Sequence, residues 1–135
     1  MKKLSFLLII SAGLMVAACS EKKSERFIFL TTPIWESDSL YADGVNAGGA
    51  GQLLSKFVGD AKFNENGTGY FGQYKGTWRF SVDEENLTIT SDSLEIPIVA
   101  NIKLLTATDL KITTIVPNPL NLSDPIDIRM TFKAK

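Results

Sequence analysis

FNENGTGYFGQYKGTWRFSV, the run from Phe63 to Val82, decides the fold. Asn66-Gly67 stands between an apolar segment ending at Phe63 and another beginning at Tyr70. That dipeptide readily takes positive φ at both central positions, which makes it the strongest short-range signal for a β-hairpin. Downstream, Trp78, Phe80 and Val82 alternate with Thr77, Arg79 and Ser81. A period of two means one apolar and one polar face, as in a strand covering a core on one side.

The same alternation continues toward the C-terminus. Ile96, Ile98, Ala100, Ile102 and Leu104 form one set, Leu110, Ile112 and Thr114 a second, and Ile126, Ile128, Met130 and Phe132 a third. Short turn signals separate them: Asp83 to Asn86, Ser91 to Ser93, Ala107 to Asp109, and Pro117-Asn118-Pro119. The pattern predicts eight strands, near 34–42, 56–64, 68–74, 76–82, 87–91, 95–105, 109–116 and 125–134. Short loops between successive strands favour up-and-down order. Eight antiparallel strands can close into a barrel that leaves no exposed edge and is just wide enough to be filled or to hold one small ligand. The expected class is therefore all-β, an antiparallel up-and-down eight-stranded β-barrel, with a β-sandwich as the alternative. A helix is conceivable over 51–57 (GQLLSKF). Asp43 to Gln52 (DGVNAGGAGQ) carries four glycines in ten residues and is expected to be a mobile lid, a contact loop or a slack connection.

The front of the chain has a different character. Lys2 and Lys3 precede an apolar stretch from Leu4 to Ala18, which ends in Val16-Ala17-Ala18-Cys19. A positive end, a short apolar core and small residues before a cleavage point describe an export signal. The stretch is shorter than the ~20 apolar residues of a spanning helix. Val16 to Cys19 resembles the lipobox of bacterial lipoproteins, with Val where Leu is commonest. The resemblance implies removal of residues 1–18, a diacylglycerol thioether on Cys19 and a further acyl chain (palmitate or similar) on the new amino terminus. One chain alone anchors poorly, at ~0.8 kcal/mol per buried methylene, whereas three hold firmly. Ser20 in place of Asp after the cysteine points, by the same Gram-negative resemblance, to the outer membrane, on either its periplasmic or its cell-surface face. Residues 19–26 then form a polar tether and 27–135 the domain.

Composition narrows the chemistry. The chain has 14 basic and 15 acidic residues; without Lys2 and Lys3 the basic count falls to 12 and the net charge to −3. No basic patch stands out, which speaks against nucleic acid. The single cysteine, assigned to lipid, excludes an intrachain disulfide. The absence of histidine removes His-based triads and general bases and most zinc sites. Gly67 to Gly72 fits G-x-G-x-x-G, but strand rather than a helix start follows it, so phosphate binding is not expected. Acidic pairs such as Glu36 with Asp38, or Glu95 with Asp124, match no calcium-loop spacing. Neither cofactor, metal nor catalysis is expected.

Several features together resemble the small bacterial lipocalin-like (calycin) outer-membrane lipoproteins: early Trp35, Phe63 to Gly69, Gly76-Thr77-Trp78, Leu87-Thr88-Ile89, and Leu105 to Leu110. These are turn glycines and core aromatics, which specify a fold rather than an activity. The resemblance implies a barrel that binds a small apolar or amphipathic molecule. Trp35, Trp78, Tyr70 and Phe80 are the candidate ligand contacts, and both tryptophans are expected inward with acceptors for their indole N–H groups. The alternative is a filled barrel acting as a non-catalytic protein–protein interaction or inhibitor module. Asp38-Ser39-Leu40 and Asp92-Ser93-Leu94 also resemble a bacterial O-glycosylation signal.

Overall fold

The structure, a computed structural model, describes residues 22–135. The leader 1–18 and Cys19 lie outside the described residues. A short helix, α1 (Glu25–Thr31), precedes nine strands: β1 (Trp35–Ala42), β2 (Val45–Asn46), β3 (Asp60–Phe63), β4 (Thr68–Phe71), β5 (Tyr74–Phe80), β6 (Asn86–Ser91), β7 (Ile98–Leu105), β8 (Asp109–Val116) and β9 (Ile126–Ala134).

Every strand pairing is antiparallel, and from β3 to β9 each strand pairs with the next. β1 closes the ring, pairing with β9 along its length and with β3 through Trp35↔Ala61 and Glu36↔Asp60. Eight strands therefore make a closed up-and-down barrel, and the β1–β9 ladder excludes the sandwich. β2 is an added strand that pairs with β1 alone.

The turns explain the register. Phe63↔Gly69 pairing and the bond from Gly67 N to Asn64 O make the β3–β4 connection a three-residue loop. Only Gly67 has positive φ there, at 86°, so the loop is a type I turn with a glycine bulge rather than the expected two-residue form. Phe71 pairs with Tyr74, so Gly72-Gln73 is a two-residue turn with Gly72 at φ 60°, as in type II′. This divides 68–82 differently from the alternation: β4 stops at Phe71 and β5 ends at Phe80. Val82, expected inward, sits in the next turn fully exposed.

Two bulges shift the phase of the core. Between Ile102 and Leu104 an extra residue in β7 turns Leu105 inward (8 % exposed) and Leu104 outward (44 %). An inserted residue reverses the faces of everything beyond it. Ile96 lies before the strand and is exposed. The bulge between Ser37 and Ser39 lets Trp35 and Leu40, an odd and an even position, both face the core.

The first expected strand beyond the glycine-rich segment is also shorter, β3 occupying only 60–63. The helix expected over 51–57 is confined to a 3-10 turn at Ser55–Phe57. Nor is Asp43 to Gln52 irregular throughout. Asp43 and Gly44 both have positive φ, a type I′ turn that folds β2 back on β1. Beyond it Ala47 N donates to Leu40 O, and Ala47, Leu54 and Phe57 are buried.

α1 covers one end of the barrel. Ser24 caps it, accepting from Phe27 N at 3.0 Å, while the Ser24 hydroxyl donates to Glu84 at 2.6 Å. Arg26 Nε donates to Glu84 O at 3.1 Å, and Lys62 Nζ reaches the carbonyls of Thr31, Thr32 and Pro33. Ser24 to Arg26, at the end of the expected tether, are thus part of the domain. Ser24→Ala should lower stability by about 1 kcal/mol, as loss of an N-cap typically does; a thermal midpoint unchanged from wild type would show that α1 is held by packing alone.

Candidate functional site

The interior is the place where a carrier would hold its ligand, and it is occupied by side chains. Trp35, Leu30, Leu87, Leu110, Ile112 and Met130 are wholly buried, and twenty apolar residues form one core cluster. Ligand cavities present a few convergent polar groups. Here the buried polar residues are Thr31 and Ser91, and each is already bonded, Thr31 Oγ1 to Phe27 O at 2.8 Å and Ser91 Oγ to Lys75 O at 2.7 Å. Among the described residues no buried side-chain polar atom lacks a hydrogen-bond partner.

The four candidate contacts do not converge. Trp35 sits where β1 meets both β3 and β9, and its Nε1 donates to Leu30 O at 3.0 Å. Trp78 is also inward, with Nε1 donating to Asn64 O at 2.9 Å. Its ring meets Phe63 and Phe80 edge-on, at centroid distances of 5.7 and 5.4 Å. Trp78 and Phe80 border a shallow cleft with Phe27 at the helix-covered end. Tyr70 is elsewhere: Lys62 and Lys75 are its cross-strand partners, and adjacent Phe71 is the buried member, so Tyr70 is on the outer face.

The other end carries the long loops. The up-and-down order puts 43–59, 72–73, 92–97 and 117–125 together there, opposite α1. These loops expose Val45, Leu53, Val58, Ile96, Leu120 and Leu122, the last two at 95 % and 81 %. Their charged residues are Asp43, Asp92, Glu95 and Asp124 against one base, Lys56. No sequence signal marked this clustering, because the six residues lie in three separate loops.

Among the described residues the ion pairs lie on the outer surface. Asp109 and Lys133 face each other across β8 and β9 and form an ion pair. The hydrogen bond from Lys133 holds the Asp109 carboxyl below the usual carboxylate range, and the same bond raises the lysine. Asp83 is lowered by the hydroxyl of Ser81 and the amide of Glu85, which lock the β5–β6 turn. Glu95 and Asp124 lie in loops rather than in strands. Among the described residues no three His, Cys, Asp or Glu side chains come close enough to hold a metal ion. Gly67 to Gly72 forms a hairpin strand with no helix following. Of the two serines in glycosylation-like triplets, Ser39 is half-buried in the β1 bulge and bonded to Thr131, whereas Ser93 is exposed in a loop.

The fold and these surfaces define a class: a closed eight-stranded antiparallel barrel with a filled core, one end plugged by a helix and the other rimmed by apolar loops. Compared with protein-family models the chain matches none, and the curated proteins give no match.

Proposed function

We propose that this protein is a membrane-anchored, non-catalytic interaction module of the lipocalin-like lipoprotein type, and that its loop end engages a protein partner. The filled interior, with its buried polar groups already bonded, carries the reading. It favours the interaction module over the carrier, because an interior ligand would have to displace core side chains. The lack of histidine supports a non-catalytic role.

Orientation follows from acylation of Cys19, on which this reading rests. With Ser24 capping α1, four residues, 20–23, separate the anchor from the domain, a reach of at most about 14 Å. Lys23 also pairs with Glu65 at 2.7 Å, at the helix-covered end. The plugged end then faces the outer membrane, and the apolar loops point away from it. A partner suited to them offers an apolar surface with a basic margin, opposite the acidic loop residues.

A photo-cross-linking side chain introduced at Leu122 in the native host should yield one discrete protein adduct, and adding Leu120→Asp should abolish it. The same probe at Val82, on the plugged end, should yield none. Adducts from Val82 alone, or a small molecule released stoichiometrically from the purified protein, would overturn the reading.

A further inference from the structure

Outside the loop end, one flank of the barrel has the chemistry of a binding site. Tyr41 pairs with Arg129, Arg129 with Thr113, Thr113 with Asn101, and Asn101 with Asn86. All five project outward, so a single row of polar side chains crosses five strands at one level. The next level toward the loops adds Asp127 and the exposed Ile115 and Val99. Together they line a trough of about 500 Å3, inside the ~300–1,000 Å3 range of small-ligand sites.

The hydrogen-bonding capacity of this row is largely unspent. The Arg129 guanidinium lies over the Tyr41 ring, 4.9 Å from its centroid. Among the described residues neither Arg129 nor Asp127 forms an ion pair. Among the described residues the side-chain amides of Asn86 and Asn101 hydrogen-bond only to each other, through a 3.4 Å contact that is long for a hydrogen bond. A guanidinium, a carboxylate and two amides are planar groups able to bond two neighbouring atoms at once. Tyr41, Val99 and Ile115 supply apolar surface beside them.

We propose that this flank binds a neutral oligosaccharide. A sugar chain presents vicinal hydroxyl pairs to planar polar groups and C–H faces to apolar side chains, which is the alternation found along the trough. Outer barrel faces bind oligosaccharides in other small barrels. A nucleic acid is disfavoured, since the trough holds one cation and one carboxylate. An added peptide strand is disfavoured as well, because β6, β7, β8, β9 and β1 are each hydrogen-bonded to neighbours on both sides over this region. This inference is independent of the loop-end reading, since it uses different residues.

The full-length protein in phospholipid nanodiscs is titrated with maltohexaose, cellohexaose, laminarihexaose and chitohexaose, and with glucose, by saturation-transfer NMR. At least one hexasaccharide should bind, and glucose far more weakly. Asn101→Ala and Arg129→Ala should each weaken binding about tenfold or more with an unchanged melting midpoint, while Lys75→Ala on β5 has no effect. No binding by any of the four, equal binding by glucose, or full affinity in both trough variants would overturn the proposal.

Discussion

Trp35→Ala is expected to lower the unfolding free energy by about 3–5 kcal/mol, the usual cost of removing a large buried aromatic. Against a total of roughly 5–15 kcal/mol for a domain, that leaves the barrel marginal. The position accounts for the size of the effect. Trp35 is wholly buried at the seam where the first strand meets both of its neighbours, paired with Ala61 on one side and Ala134 on the other. Its indole N–H also holds the Leu30 carbonyl, tying the helical plug to the wall. The substitution thus removes packing volume and a buried donor together. Trp35→Phe separates the two, because it keeps much of the volume and loses only the bond; it should cost less. Urea titrations followed by far-ultraviolet circular dichroism measure both. A loss below about 1 kcal/mol for the alanine variant, the ordinary cost of a point substitution, would mean that the seam is not packed as described.

Gly76→Ala should be as damaging, though it adds one methyl group in a strand. A Cβ at Gly76 would stand 1.8 Å from the Thr90 carbonyl oxygen and 3.0 Å from Ser91 Cα. Both are backbone atoms of the paired strand, so no side chain can swing away. Gly76 lies opposite Gly69, where a Cβ would meet the Lys62 carbonyl oxygen at 2.3 Å. Paired glycines at this level let the backbones of four strands, β3 to β6, approach closely. The clash must be relieved by moving β5 off β6, at a cost at or above the ~1–3 kcal/mol of ordinary overpacking. Hydrogen exchange should quicken first at Thr77 and Trp78. Gly44→Ala is the comparison: its φ is 78°, but nothing lies within 4 Å of the added carbon. Only left-handed backbone strain, about 1–2 kcal/mol, is expected there. Equal losses for the two variants would remove the clash as the explanation.

The fold was largely legible from side-chain alternation. Leu110, Ile112, Ile128, Met130 and Phe132 face the core as their spacing predicts. The β8 bounds coincide with the expected 109–116. Errors arose where the backbone inserts or omits a residue. The β7 bulge exchanged Leu104 for Leu105, and the turn that begins at Ser81 ended β5 before Val82 could turn inward. α1 was missed because seven residues are too few for a 3.6-residue period to register, and its stability comes from Ser24, Glu84 and the barrel it covers. The candidate site was less legible. Trp35 and Trp78 face inward with backbone acceptors, as buried indoles require, but Tyr70 lies outside. The trough was invisible, since Tyr41, Asn86, Asn101, Thr113 and Arg129 come from five strands and share only a register.

By itself the sequence determined the number of barrel strands, their antiparallel order and most of the buried face, because hairpin turns and a period of two are local properties written in neighbouring residues. Whether the barrel is hollow or full, which end is plugged and which side chains meet across its outer wall were decided only in three dimensions. Those outcomes depend on how volumes sum inside a closed ring and on the registry of residues far apart in the chain.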